Sequence, residues 1–239
     1  MSEEPAPAEP ATKEFRQYRY APPPGATVIL LVRHGESAPA VEGVVGPMRD
    51  GHTDPPLDPV GEEQARLVGE RLGHEPIDAL YVTTLQRTHQ TAAPLAAKLG
   101  LTPHVEADLR EVGLGEWEGY RFRKYVAERH PIAIQMFTEQ RWDAIPGAES
   151  NDAFAARIRA GIGRIHAAHP DQRVAAFVHG GVIGMAMSIA SGARPFGFIG
   201  ADNGSISEIV VLGEDWAVRR FNDTAHLDPS LTITTEPLI

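Results

Sequence analysis

The fold is decided by residues 27–37, Thr27-Val28-Ile29-Leu30-Leu31-Val32-Arg33-His34-Gly35-Glu36-Ser37. The first six form a short, continuous apolar run rich in branched side chains. A strand wetted on one face alternates apolar and polar residues, whereas one covered on both faces does not. The run therefore predicts a buried central strand. It stops at Arg33, and a long Gly/Pro-rich loop follows as far as Leu57. Arg33, His34 and Gly35 are thus expected at the strand's C-terminal end.

Working outward, residues 77–82 and 173–178 read as two further buried strands, the second ended by His179-Gly180-Gly181. Helices are expected between them. Asp58-Pro59 is a cap followed by a first-turn proline, with Ala65, Val68 and Leu72 on one face and Gly73 at the end. A second helix spans about 85–99, closed by Gly100, with a kink expected at Pro94. Residues 152–169 place Phe154, Ile158, Ile162 and Ile165 on one amphipathic face, and His166 and His169 near its end are expected to face solvent. Another helix runs through 182–190. Residues 206–212 and 216–221 read as a hairpin across Gly213. Residues 110–146 are aromatic and charged, with weak helical patterns and no clear strand. Strands alternating with helices predict an α/β fold: a largely parallel central sheet flanked by helices in three layers. Ligands of such sheets bind beyond the carboxyl ends of the strands, which singles out Arg33-His34-Gly35 and His179-Gly180.

Composition narrows the function. The 239 residues suit one domain, expected over 27–225, between an N-terminal tail (1–26) rich in Pro, Ala and Glu and a C-terminal tail (226–239). The formal charge of -10 disfavours nucleic acid as a partner. A small anionic substrate requires a local positive pocket set against that global sign. The absence of cysteine removes disulfides, thiolate catalysis and cysteine metal sites. No apolar stretch reaches transmembrane length and the N-terminus has no signal-like apolar core, so a cytoplasmic location away from membranes is expected.

The strand ends carry the candidate chemistry. A neutral imidazole at His34 can attack phosphorus and carry the phosphoryl group, although a lone histidine also serves to cap a strand. His179 stands where free backbone N–H groups at Gly180 and the helix dipole favour an anion. Arg87, in the first turn of the helix after the second strand, can neutralise phosphoryl oxygens. The leaving oxygen needs a proton, which a carboxylic acid can supply. Glu111, Glu116 and Glu118 all qualify, and their spacing does not choose among them. There is no Walker loop, H-E-x-x-H, G-x-S-x-G or dinucleotide fingerprint. The ten histidines show no clear metal-ligand spacing.

With these pieces assembled, the chain resembles the histidine phosphatase superfamily, the phosphoglycerate-mutase-like group, from about Val28 to Leu212. The segment L-V-R-H-G-E-S at 31–37 is similar to its R-H-G signature, and T-L-Q-R-T-H-Q-T-A at 84–92 to its arginine segment. L-R-E at 109–111 through W-E-G at 117–119 resembles its acid segment, and V-H-G-G-V-I at 178–183 its second histidine motif. The resemblance implies a phosphoglycerate-mutase-like fold with a helical insertion, about 120–146, covering the active site. It implies His34 as the phosphorylated nucleophile and Arg33, Arg87 and His179 as phosphoryl contacts, with Gly180 and Ser37 also binding substrate. Glu111 becomes the proton donor. No metal and no cofactor is implied, and family members are commonly homodimers. Position 40, often asparagine in the family, is alanine here. Arg49 and His52, in the long loop, are within reach of the pocket, but an exposed loop is the preferred reading for both.

These readings converge on a metal-independent phosphomonoesterase of the histidine acid phosphatase type, acting on a small phosphorylated substrate. A phosphoglycerate-type mutase is the nearest alternative, and a non-catalytic phosphate-binding scaffold the alternative of another class. The insert, with Arg121, Arg123, Lys124, Phe137, Arg141 and Trp142, is expected to set specificity.

Overall fold

The computed structural model describes residues 14–228 and Ser230. Residues 1–13, 229 and 231–239, which include much of both expected tails, lie outside the described residues. Residues 14–23 carry no helix or strand.

Six strands form the main sheet in the order β5-β4-β6-β1-β7-β8. They are β1 (Thr27–Arg33), β4 (Ala79–Val82), β5 (His104–Val105), β6 (Arg173–Val178), β7 (Ile206–Leu212) and β8 (Asp215–Asp223). β1, β4, β5 and β6 pair in parallel, whereas β7 runs antiparallel to β1 and β8 antiparallel to β7. The sheet is therefore mixed, its parallel part carrying the expected strand ends. β1 shows why its sequence is an unbroken apolar run. Ile29 and Leu31 face one layer, with Phe154, Ile158 and Ile162. Leu30 and Val32 face the other, with Val68, Leu72 and Leu95. Both faces are covered, so alternation has no purpose.

The first layer holds α5 (Asn151–Ala168) and α6 (Gly180–Ser191), and the second holds α1 (Pro59–Leu72) and α2 (Gln86–Leu99). α1 begins as its sequence demands: the Asp58 carboxylate accepts from the Gly61 N–H at 2.7 Å. α2 is assigned without interruption through Pro94. A Cβ on Gly69 would lie 2.9 Å from that of Pro94, so the glycine permits close packing of the two helices. Gly100 ends α2 in the left-handed conformation (φ 66°). The region 110–146 contains α3 (Arg121–Ala127) and α4 (Pro131–Glu139), held by tilted aromatic contacts such as Trp117 with Tyr125 and Trp142 with Phe196, ring centroids 4.9 Å apart in each pair. No helix among the described residues is long and apolar enough to cross a membrane.

Local differences from expectation have physical causes. A two-residue hairpin, β2 (Met48–Arg49) with β3 (His52–Thr53), lies inside the long loop, and β5 is also two residues long. Such short strands carry no periodicity to read. His166 and His169 do not simply face solvent. His166 Nδ1 lies 2.9 Å from Thr27 Oγ1, and its Nε2 accepts from the Gly213 N–H. His169 reaches the Tyr81 hydroxyl at 2.9 Å. Both tie the end of α5 to the sheet.

Candidate active site

β1 and β6 are neighbours with Arg33 opposite Val178, so the next residue of each chain segment is a histidine. The His34 N–H donates to Val178 O at 3.0 Å, continuing the ladder one step past the strand. The two imidazoles meet edge to face, centroids 5.2 Å apart at 62°. They are almost wholly buried, at 5% and 0% exposure. Gly35 then turns the chain against α1, where a Cβ would overlap the Gly61 carbonyl.

The hydrogen bonds fix the tautomers. His34 Nδ1 lies 2.7 Å from Gly35 O. A carbonyl only accepts, so Nδ1 carries the proton and Nε2 keeps its lone pair. His179 Nδ1 lies 3.2 Å from Arg87 Nη2, a donor, and its Nε2 lies 3.0 Å from Thr83 Oγ1. Nδ1 therefore accepts and Nε2–H donates to the hydroxyl. Burial, with Arg87 and further cationic groups beside them, holds both imidazoles well below the ordinary histidine range. Both are neutral at neutral pH.

The cations are fixed as firmly. Arg87, at the start of α2 and 7% exposed, donates to Thr53 O at 3.0 Å and lies 3.9 Å from Asp54 Oδ1. Burial pushes it down to about 10, which leaves it charged. Asp54 is itself buried and accepts from the Gln86 N–H at 2.8 Å. Arg33 donates through Nη1 to Ala201 O, and its Nε is buried with no protein partner, beside Gly180. An orphaned buried guanidinium nitrogen is costly unless an anion meets it.

The three glutamates separate in space. Glu111 Oε2 accepts from the Gly181 N–H at 3.1 Å, and Oε1 from Val112 N at 2.9 Å. Its backbone carbonyl is held by Arg157 Nη2 at 2.8 Å. Glu118 is committed to scaffolding: it accepts from Thr53 N at 2.7 Å, from the Thr53 hydroxyl and from Leu114 N at 3.0 Å. Glu116 is exposed. Glu111 and Glu118 both line a pocket of about 250 Å³ with Arg33, His34 and Arg87. His179 abuts His34 and Arg87 from beneath, through the contacts given above. Ser37 sits apart from that group: its hydroxyl accepts from Arg123 Nη2 at 2.7 Å, and it lines an adjoining cavity, as does Ala40. Gly180 stands at the first helical position of α6.

Three contributors escaped the sequence reading. His52 is not an exposed loop residue. It lines the pocket at 15% side-chain exposure, 3.8 Å from Glu118, whereas Arg49 is exposed as expected. Thr83 supplies the partner of His179. Asn203 Nδ2 donates to His34 O at 2.9 Å. A signal existed for Asn203: it closes the polar segment just before β7, and an antiparallel strand starts at the rim where its parallel neighbours end. Three guanidiniums, Arg33, Arg87 and Arg123, gather here in a chain of net charge -10. Among the described residues no group of three or more His, Asp or Glu is arranged to hold a metal ion.

Known proteins share this arrangement of chain. The sequence is 33% identical over 207 residues to phosphoglycerate mutase-like protein 4 of Arabidopsis thaliana, covering 84% of this chain and 86% of that one. It is 32% identical over 206 residues to a metal-independent phosphoserine phosphatase of the same plant, covering 84% and 83%. A mycobacterial glucosyl-3-phosphoglycerate phosphatase superposes with a TM-score of 0.70 at 26% identity, over 83% of this chain and 100% of that one. Residues 29–224 match the family model of the histidine phosphatase superfamily (branch 1), and the chain belongs to that family.

Proposed function

We propose that this protein hydrolyses phosphomonoesters in two steps through a phosphohistidine on His34. The observation that carries the reading is the pairing of His34, its Nε2 lone pair free, with a buried guanidinium (Arg87), a half-buried one (Arg33) and a second neutral imidazole. Such a cluster offers preorganised charge to a phosphoryl group at little reorganisation cost.

In the first step the His34 Nε2 lone pair attacks phosphorus as the ester P–O bond breaks. The departing oxygen takes a proton from the Glu111 carboxyl group. Arg33 and Arg87 offset charge on the phosphoryl oxygens, and Gly35 O stabilises the Nδ1–H of the phosphorylated ring. In the second step water attacks phosphorus and gives its proton to the Glu111 carboxylate. The P–N bond breaks and its electrons return to Nε2. His179 holds Arg87 in line while itself held by Thr83. No step is routed through a metal or an organic cofactor.

Phosphatases stand among its relatives, in keeping with hydrolysis, and mutase-like proteins stand among them too, so transfer to a second hydroxyl is the alternative to test. The test is turnover of an aryl phosphate in EDTA from mildly acidic to neutral pH, with His34→Ala alongside. Loss of turnover by at least about a thousandfold in the variant is expected. Undiminished turnover overturns the mechanism. Isomerised product in place of free phosphate from 3-phosphoglycerate makes the protein a mutase.

A further inference from the structure

We propose that the leaving group of the substrate is a bulky alcohol with an apolar face, larger than a three-carbon acid, and that it occupies a second cavity adjoining the catalytic pocket. The inference rests on the hydrolytic reading above and names its substrate class.

The size comes first. The catalytic pocket encloses about 250 Å³. The half-open cleft beside it, between residues 36–45 and α3, has a volume of about 820 Å³. Arg33, Tyr120 and Arg123 line both, so the two spaces adjoin across these three side chains. An alcohol leaving the pocket past Tyr120 enters the larger space.

The cavity wall is built rather than loose. Arg123 donates to Ser37 Oγ at 2.7 Å and to Ala38 O at 3.0 Å, clasping the start of the loop to α3. Lys124 lies 3.5 Å from Glu42. Gly46 sits flat on the Tyr120 ring, with space for no side chain, and its N–H donates to Gly119 O at 3.4 Å. A preformed wall lowers the ordering cost of binding.

The chemistry of the wall decides what it takes. Its cations are already engaged: Arg121 donates to Glu116 O, Arg123 to the loop, and Lys124 is shared by Glu42 and Glu128. Glu36, Glu42 and Glu128 line the same space and balance Arg121, Arg123 and Lys124. Arg33, the one further cation of the lining, faces the phosphoryl group, so a second anion meets a wall with no formal positive excess. What remains unmet is apolar. Val41, Val44 and Val45 are 56%, 54% and 75% exposed, with Ala40 and the Tyr120 ring alongside. Exposed branched side chains gathered at the mouth of a catalytic pocket mark a binding surface.

The test compares ethyl and hexyl phosphate, whose leaving alcohols have the same basicity, in the wild type and in the double variant Val41→Ser/Val44→Ser. Both valines are exposed and neither touches the reacting atoms. A fully buried methylene is worth up to about fourfold, so a kcat/KM ratio for hexyl over ethyl of about tenfold or more is expected in the wild type. The variant is expected to cut that ratio at least threefold while leaving ethyl phosphate turnover unchanged. Equal kcat/KM for the two esters, or a ratio unmoved by the variant, overturns the proposal. So does a preference for 6-carboxyhexyl phosphate over hexyl phosphate, which shows a second anion site. Calorimetry with ethylphosphonate and hexylphosphonate separates this inference from the hydrolytic reading. If neither ester is turned over, that reading fails, and the cavity is still decided. Hexylphosphonate binding at least tenfold tighter, an advantage lost in the variant, supports it, and equal affinities overturn it.

Discussion

The Thr83 hydroxyl stands 3.0 Å from Nε2 of His179, and both groups are fully buried. With Arg87 Nη2 donating to Nδ1, that oxygen accepts the Nε2–H of the imidazole that holds Arg87. Thr83→Val keeps the shape and removes the acceptor. It leaves a buried N–H unsatisfied, at a cost of about 1–3 kcal/mol. The expected result is a fall in kcat of roughly tenfold or more with a smaller change in KM, restored by Thr83→Ser. A Val variant that matches the wild type in both constants contradicts the positioning role.

Glu111 and Glu118 line one pocket but hold different partners, so their amide variants are expected to fail differently. Glu111→Gln is expected to melt within a few degrees of the wild type and to lose about a hundred- to ten-thousandfold in kcat. The loss should be smaller for a good leaving group such as 4-nitrophenol, which needs little protonation. Glu118→Gln weakens charge-assisted bonds to Thr53 and Leu114. It is expected to destabilise by roughly 1–3 kcal/mol, with a loss that does not depend on the leaving group. Leaving-group dependence in the second variant instead of the first assigns the acid to Glu118.

Gly181 gives Glu111 its place. A Cβ at this position would overlap Oε1 of the carboxylate. The backbone there is helical, and alanine has a better helix propensity than glycine. Gly181→Ala is therefore expected to keep or slightly raise the melting temperature while lowering kcat at least tenfold, because the carboxyl group must move. Full activity in a stable Gly181→Ala protein sinks the argument.

Stability should depend on pH through the paired histidines. Both are held below the ordinary value of about 6.5, first by burial and then by the cationic groups around them. Below pH 6.5 the unfolded chain binds protons that the native one refuses. The contribution is thus present above pH 6.5 and is lost as pH falls, with a slope of up to about 1.4 kcal/mol per unit for each ring. His52 and His226 are shifted in the same direction, chiefly by burial. Urea unfolding at pH 7.5 and 5.5 is expected to show a drop of roughly 1–3 kcal/mol, smaller in His179→Asn. A flat profile contradicts neutral burial.

Much of this was legible because strands and helices announce their ends locally. The run 27–32, the Asp58-Pro59 cap and the glycine stops are enough to put Arg33, His34, Arg87 and His179 on one rim. What stayed hidden depends on partners distant in sequence. Thr83 meets a histidine 96 residues away, and Glu118 meets Thr53 across 65 residues. Spacing could not rank the three glutamates, since their roles follow from which backbone N–H groups surround each. His52 lies in a hairpin of two-residue strands, too short to imprint a pattern, so its place in the pocket could not be read. The resemblance to a family selected Glu111, and the geometry is compatible with that selection.

The one-to-one register of β1 and β6 carries a consequence for how such a protein diversifies. The spacing of its reactive rings is dictated by main-chain geometry at the centre of the sheet, where side-chain turnover has little leverage. On the reading proposed above, the groups that meet the rest of a substrate hang instead from α3 and from the segment facing it, which the sheet does not build. Sequence drift in that outer layer can retune which ester is accepted while the bond-breaking apparatus stays as it is.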